Sequence, residues 1–139
     1  MLGIIGAMDE EVAKIKEQME NVKVMSKAAM DFYEGTLSGK DVVVVRSGIG
    51  KVNAAMCTQI LVDNYQVDAV VNTGIAGSLN TDINIGDIVL SVDTIEHDMD
   101  AVAFGYPVGQ IPRMDTLSFK ADEKLRGLAK KVCQEVVPE

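Results

Sequence analysis

The sequence is poor in the residues that build metal centres and disulfide frameworks. It has one histidine, two cysteines and no tryptophan in 139 residues, and aromatic residues make up only 4%. Cys57 and Cys133 fall in predicted helices and have no cysteine or histidine nearby at metal-ligand spacing. A small disulfide scaffold is therefore excluded, and both cysteines are interpreted as buried, reduced thiols. No metal site is predicted.

Positive charge and long apolar runs are also scarce. Lysine and arginine number 13 against 21 acidic residues, which gives a formal net charge of −8. This balance disfavours binding to nucleic-acid phosphates or to anionic lipid. The apolar run Val42–Val45 is far shorter than the roughly 20 residues of a membrane span, and the N-terminus lacks a basic leader. We therefore expect a cytoplasmic protein that contacts neither nucleic acid nor membrane.

The 47% apolar content is ample for a core, and the length predicts a single domain over residues 1–139. Periodicity predicts these elements: a strand at 2–6, a helix at about 9–20, a hairpin within 22–46, a helix at 52–64, strands at 69–72 and 86–91, a long loop at 97–117 and a helix at about 121–135. The hairpin has its turn at 38–41 and leads into a central strand at 42–45. The alternation predicts an α/β fold with a mixed central sheet flanked by helices. Because a further strand would normally follow the last helix, we expect either a thin sheet or a fold that is incomplete at the C-terminus.

Three glycine-bearing turns follow three predicted strands, at Gly6–Glu11, Ser47–Lys51 and Asn72–Gly77. Ligands of open α/β sheets bind beyond the carboxyl ends of strands, so these turns are candidate site walls. The second turn is not a phosphate-binding P-loop, because Val45 and Val52 replace the required glycine and hydroxyl residue. Nor is it a dinucleotide fingerprint, because Asn53 replaces the third glycine. A purely conformational role for the glycines stays open.

Asp9, Glu10 and Glu11 begin the first predicted helix. Acidic residues in a first helical turn are favoured by the helix dipole alone, so a structural role is open for all three. Glu11 differs from Glu10 because it lies four residues before the apolar Ile15 and borders the buried face. Partial desolvation is expected to raise its pKa toward a range useful for a general base.

The long loop carries the remaining candidate side chains. His97 lies among Glu96, Asp98 and Asp100, but without a second histidine or a cysteine a hydrogen-bonding role is favoured over a metal site. Phe104 and Tyr106 either belong to a satellite core or cover a flat apolar ligand or a partner subunit.

Taken in order, these segments resemble the 5′-methylthioadenosine/S-adenosylhomocysteine nucleosidase family of the nucleoside phosphorylase superfamily. The resemblance covers essentially the whole chain. It is carried by five collinear motifs: Gly3–Val12, Ser47–Val52, Asn72–Gly77, Gly86–Val89 and Phe104–Tyr106.

The resemblance implies hydrolysis of the bond between adenine and a 5′-thioribose, in methionine salvage, without a cofactor. Glu11 would orient and deprotonate the attacking water. The substrate-binding residues would be Ala7 and Met8 near the sugar and water, Ile49 against the thioribose, and Ile75, Ala76 and Gly77 along the purine. Phe104 and Tyr106 would reach into the 5′-alkylthio pocket of the neighbouring subunit of a homodimer.

The resemblance also implies two departures from a complete site. Ile75 stands where many relatives carry serine, which removes a hydroxyl near the adenine. The family's proton-donating aspartate and ribose-binding glutamate match no residue of this chain, so the segment alone is expected to be inactive.

Two other functions stay open. A phosphorolytic purine nucleoside phosphorylase would share the fold, but its relatives carry an arginine in the first loop, where this chain has no cation between Gly6 and Val12. A non-catalytic nucleoside-binding or dimerisation module would need no complete site.

Overall fold

The computed structural model describes residues 1–137, which divide into two compact units, one over Met1–Ser78 and one that begins at Leu79. Pro138 and Glu139, which belong to the tail that follows the last predicted helix, lie outside the described residues. The single domain expected over residues 1–139 stays a prediction.

The first unit is a five-stranded mixed sheet with two helices. Its elements are β1 (Leu2–Gly6), α1 (Asp9–Glu17), β2 (Glu20–Lys27), β3 (Met30–Leu37), β4 (Lys40–Arg46), α2 (Lys51–Tyr65) and β5 (Ala69–Asn72). The strand order is β2-β3-β4-β1-β5. β1 runs parallel to β4 and β5, while β2, β3 and β4 form an antiparallel meander. The predicted mixed sheet flanked by helices is therefore confirmed.

Two boundaries in this unit differ from the prediction. The first helix ends at Glu17 instead of near residue 20, because Glu20 already begins β2. Lys40 and Asp41, predicted in a turn, belong to β4, where they pair with Leu37 and Thr36 of β3. The hairpin turn itself is therefore only Ser38 and Gly39, both with positive φ. A two-residue connection with left-handed backbone at both positions matches the twist of an antiparallel pair.

The core lies on both faces of the sheet, which explains the unbroken apolar run in β4. Val43 and Val45 pack with α2 residues Cys57 and Leu61, whereas Val42 and Val44 pack with Val12 of α1. Successive strand residues point to opposite faces, so a strand covered on both sides is apolar at every position. The buried, reduced thiol predicted at Cys57 is confirmed, and desolvation raises its pKa to about 11. Cys133 is a free thiol that is only half-buried.

The second unit has little regular structure before its final helix. It contains β6 (Asp93–Thr94), a 3-10 turn (Val102–Phe104), β7 (Phe119–Lys120) and α3 (Glu123–Val136). The predicted long loop over 97–117 is confirmed, since a single 3-10 turn is its only regular element. The helix predicted at about 121–135 is α3, and Asp122 caps it by accepting a 2.8 Å hydrogen bond from the Leu125 N–H.

The strand predicted at 86–91 is wrong. These residues form no strand, and Ile88 and Val89 are exposed by 54% and 65%. Alternating apolar residues become a strand only when a neighbouring strand supplies main-chain partners, and none is present here within the described part of the chain. Over residues 1–137, no helix is long and apolar enough to cross a membrane.

Candidate active site

The three glycine-bearing turns of the first unit meet at the end of the sheet where its parallel strands finish, which is called here the carboxyl edge. β1 is parallel to both β4 and β5, so the carboxyl ends of all three strands point the same way. The Ser47 N–H donates to the Gly6 carbonyl at 2.9 Å, and the Thr73 N–H donates to the Ile5 carbonyl at 2.9 Å. These bonds extend both parallel ladders into the turns. The three turns that the sequence marked as candidate site walls therefore lie side by side.

The side chain of Glu11 lies at the centre of this edge. Its Oε2 accepts hydrogen bonds from the Ala7 N–H at 2.6 Å and the Met8 N–H at 2.9 Å. Its Oε1 accepts a 3.0 Å bond from the Ile75 N–H in the turn after β5. Glu11 is the third residue of α1, from which a carboxylate commonly reaches back to the N-terminal N–H groups. The bond to Ile75 goes beyond such a cap, because it joins two segments that are 64 residues apart.

The expected raised pKa of Glu11 is wrong in sign. Hydrogen bonds from the N–H groups of Met8, Ile75 and Ala7 favour the charged form and outweigh desolvation, so the pKa of Glu11 is held below its usual range. Ionised Glu11 therefore stabilises the folded chain at all pH values above the ordinary glutamate pKa of about 4.3. That contribution is lost as the pH falls through the lowered pKa. At neutral pH the site holds a carboxylate that accepts hydrogen bonds.

The other two acids of the first helical turn have different surroundings. Asp9 forms a 3.2 Å ion pair with Arg46 at the end of β4, with both side chains substantially exposed. Glu10 is exposed. Both fit the structural interpretation that a first helical turn favours negative charge. Glu11 differs from both, because its carboxylate accepts a hydrogen bond from the turn after β5.

The turn after β4 is fixed by its own hydrogen bonds. The buried Ser47 hydroxyl donates to the Gly48 carbonyl at 2.9 Å, and the Asn53 side-chain amide donates to the Ile49 carbonyl at 2.8 Å. Gly48 and Gly50 have φ values of +84° and +103°, which L side chains rarely adopt. The two glycines are therefore conformational, and the turn presents Ile49 with 74% of its surface exposed.

The remaining substrate-binding candidates of the first unit lie on the same three turns. Ala7 and Met8 are half-buried, and their N–H groups hold Glu11. Ile75, Ala76 and Gly77 are exposed after β5. The structure thus brings these residues to one edge with Glu11, and their contact with substrate stays a prediction.

The candidates on the long loop belong to the second unit. Phe104 is 82% exposed, whereas the half-buried Tyr106 accepts a 3.2 Å hydrogen bond from the Arg113 N–H through its hydroxyl. His97 is exposed, and its hydrogen-bonding role stays a prediction. Within residues 1–137, no group of three or more histidine, cysteine and acidic side chains is arranged to hold a metal ion.

A cleft of about 510 Å³ in the first unit contains none of the predicted site residues. It lies beside Met1 and the end of α2 and is lined by Met1, Met25, Glu34, Asn64, Tyr65 and Gln66. Burial and the nearby Glu34 raise the pKa of Tyr65, whose buried hydroxyl has no partner among the described residues. The chemistry of Glu11 and the parallel strand ends favours the other location for the active site.

Sequence reasoning missed how closely two glycines approach Glu11. A Cβ on Gly6 would lie 2.9 Å from the Glu11 Cβ and 2.7 Å from Val12 Cγ1. Gly74 approaches the carboxylate itself. Both glycines were identified in the motifs, but nothing in a linear sequence signals which side chain fills the space that a distant glycine leaves.

Comparisons with known proteins agree with this fold. Residues 1–138 match the phosphorylase superfamily. A 5′-methylthioadenosine/S-adenosylhomocysteine nucleosidase from Staphylococcus haemolyticus is 47% identical over 90% of this chain and 54% of its own length. The nucleosidase of the same name from Colwellia psychrerythraea, solved with adenine, is 46% identical, with a TM-score of 0.94 over 99% of this chain and 57% of that one.

A third similar protein extends the agreement. The corresponding nucleosidase from Neisseria meningitidis, solved with methylthio-immucillin-A, is 41% identical, with a TM-score of 0.94 over 98% of this chain and 58% of that chain. The chain thus spans little more than half the length of these relatives. The match over residues 1–138 shows that the chain belongs to the phosphorylase superfamily.

Proposed function

We propose that the complete natural protein containing these residues hydrolyses the N-glycosidic bond of 5′-methylthioadenosine and S-adenosylhomocysteine, releasing adenine and the 5′-thioribose. One observation carries the proposal: a single ionised carboxylate, Glu11, held by three main-chain N–H groups at the carboxyl edge of parallel strands. Similarity to nucleosidases of this name, one solved with adenine, supports it.

The chemistry fits a carboxylate of lowered pKa. As the bond to adenine breaks, the ribose becomes oxocarbenium-like and is attacked by a well-placed water on the opposite face. Glu11 orients that water through a hydrogen bond and accepts its proton as the new C–O bond forms. The electron pair of the broken bond leaves with adenine, which takes its proton from a general acid. The family resemblance assigns that acid to an aspartate that matches no residue of this chain.

The substrate would lie across the three turns at the strand edge. Ala7 and Met8 would border the sugar and the water, Ile49 the thioribose, and the main chain of Ile75, Ala76 and Gly77 the purine. An apolar ligand accounts for the 74% and 84% exposure of Ile49 and Ile75 beside a carboxylate, since a bound nucleoside covers both. We further propose a role in methionine salvage in the cytoplasm, without a cofactor.

The activity is tested by following adenine release from methylthioadenosine, S-adenosylhomocysteine and 5′-deoxyadenosine by the complete natural protein. We expect release that does not depend on phosphate and yields the free 5′-thioribose. The described first turn holds no cation for phosphate, and Arg46 at the end of β4 is already paired with Asp9. Strict dependence on phosphate, with a sugar phosphate as product, would instead identify a phosphorylase. Nucleoside binding without turnover would favour a binding or dimerisation module.

We also propose that the complete protein is a homodimer in which each subunit contributes Phe104 and Tyr106 to the 5′-alkylthio pocket of the other. Phe104 is the last residue of the 3-10 turn and exposes 82% of its surface, which is costly for an aromatic side chain in water. Light scattering is expected to give twice the chain mass at micromolar concentration. Phe104→Ala should weaken the dimer and raise KM for methylthioadenosine together. Phe119→Ala, a change at another exposed phenylalanine, is the matched control. A monomer with full activity would contradict the shared pocket.

A further inference from the structure

The two oxygens of Glu11 are not equivalent. An ionised carboxylate offers about four acceptor positions, two on each oxygen. Oε2 accepts two main-chain N–H groups, those of Ala7 and Met8, whereas Oε1 accepts only that of Ile75. The described main chain thus leaves one acceptor position of the carboxylate unused, and that position is on Oε1.

We propose that Oε1 of Glu11 is the atom that receives the proton of the attacking water, and that Gly74 and the Ile75 N–H are the positioning element that holds it in place. This assignment rests on the proposed hydrolysis. The assignment adds to the proposed hydrolysis the identity of the accepting atom and two positioning residues. Both residues lie on the opposite side of β1 from β4.

Gly74 contributes by having no side chain. A Cβ at this residue would lie 2.2 Å from Oε1 and 2.6 Å from Cδ of Glu11, whereas real Cβ atoms essentially never approach within 3.0 Å. The carboxylate cannot slide away without losing bonds, because N–H groups hold it from the turns after both β1 and β5. Even a methyl group at residue 74 must therefore displace the carboxylate or the turn after β5.

Ile75 contributes through its main chain. Its N–H donates to Oε1 at 3.0 Å while its side chain is 84% exposed. The replacement of serine by isoleucine, noted above as a departure from many relatives, therefore leaves the contact with Glu11 intact. Any residue other than proline supplies the same donor. The identity of the side chain is then free to vary without moving the carboxylate.

The first test is Gly74→Ala in the complete natural protein. We expect kcat for methylthioadenosine hydrolysis to fall about 10²-fold or more, the scale of a lost general base. In the plot of kcat against pH, the fall on the acid side (the acid limb) should move to higher pH. The reason is that Glu11 loses N–H donors that favour its charged form. The matched control is Gly127→Ala in α3, where an added Cβ meets nothing within 4 Å and no change in kcat or its pH profile is expected.

A second test removes only the donor. Replacing the Ile75 amide by an ester, through incorporation of the α-hydroxy analogue of isoleucine, deletes the N–H and keeps the side chain. It should move the acid limb upward in the same direction, and Gly127→Ala again serves as the unchanged control. The ester variant carries the test if Gly74→Ala does not fold, as judged by circular dichroism.

A third measurement separates this inference from the proposed function. Titration of the Glu11 carboxyl carbon by ¹³C nuclear magnetic resonance reports its pKa without any turnover. A rise in both Gly74→Ala and the ester variant supports the positioning role even if the protein hydrolyses no nucleoside, in which case only the proposed function fails. An unchanged Glu11 pKa together with unchanged kcat in both variants would overturn the assignment.

Discussion

Replacement of Glu11 by glutamine in the complete natural protein is expected to lower adenine release from methylthioadenosine by about 10²-fold or more. Glutamine keeps the length of the side chain but offers one acceptor oxygen instead of two. If that oxygen takes the place of Oε2, the side-chain NH₂ faces the Ile75 N–H, and two donors oppose each other. The variant therefore loses the proton acceptor and also loosens the turn after β5.

Three measurements complete this prediction. Steady-state kinetics should show the loss in kcat, while binding of adenine or a methylthioadenosine analogue survives. Glu10→Gln is the matched control, since it removes a neighbouring exposed carboxylate from the same helical turn. Near-normal turnover by Glu11→Gln would remove Glu11 from the mechanism. Loss of folding by Glu11→Gln, measured by thermal denaturation, would indicate that Glu11 has a purely structural role at the start of α1.

The second large effect concerns the 139 residues on their own, which are expected to release no measurable adenine. Glu11 can prepare the water, but adenine leaves poorly as an unprotonated anion, and loss of a positioned acid costs about 10²–10⁴-fold. Loss of the ribose-binding carboxylate implied by the family resemblance impairs orientation further. β5 also lies at an edge of the described sheet, and an edge without a neighbouring strand favours aggregation.

The assay compares the purified 139-residue chain with and without a separately expressed C-terminal half of a relative. Adenine release is expected only from the mixture. Because His97 is the single histidine of the sequence, His97→Ala is included as a test for a substitute acid and should change nothing in the mixture. Appreciable turnover by the 139 residues alone, abolished by His97→Ala, would contradict the prediction and identify a different acid.

Much of the fold was predictable because it is encoded locally. Val42–Val45 is apolar at every position since β4 is covered on both faces, and that pattern predicts a central strand without knowledge of its neighbours. α2 was similarly predicted within a residue at each end. The strand expected at 86–91 failed because pairing, unlike periodicity, depends on a partner that the local pattern does not specify.

The sequence by itself determined which residues are candidates for the site. They are three glycine-bearing turns after three strands, and one acid of the first helical turn that lies beside its buried face. Only the tertiary structure decided what that acid does. Burial alone raises the pKa of a carboxylate, which is the direction expected from local pattern. The actual direction is set by three main-chain donors, one of them on Ile75, 64 residues away. Hydrogen bonds between distant segments have no signature in sequence spacing, because the parallel pairing of β1 with β5 is what brings Gly74 and Ile75 against Glu11.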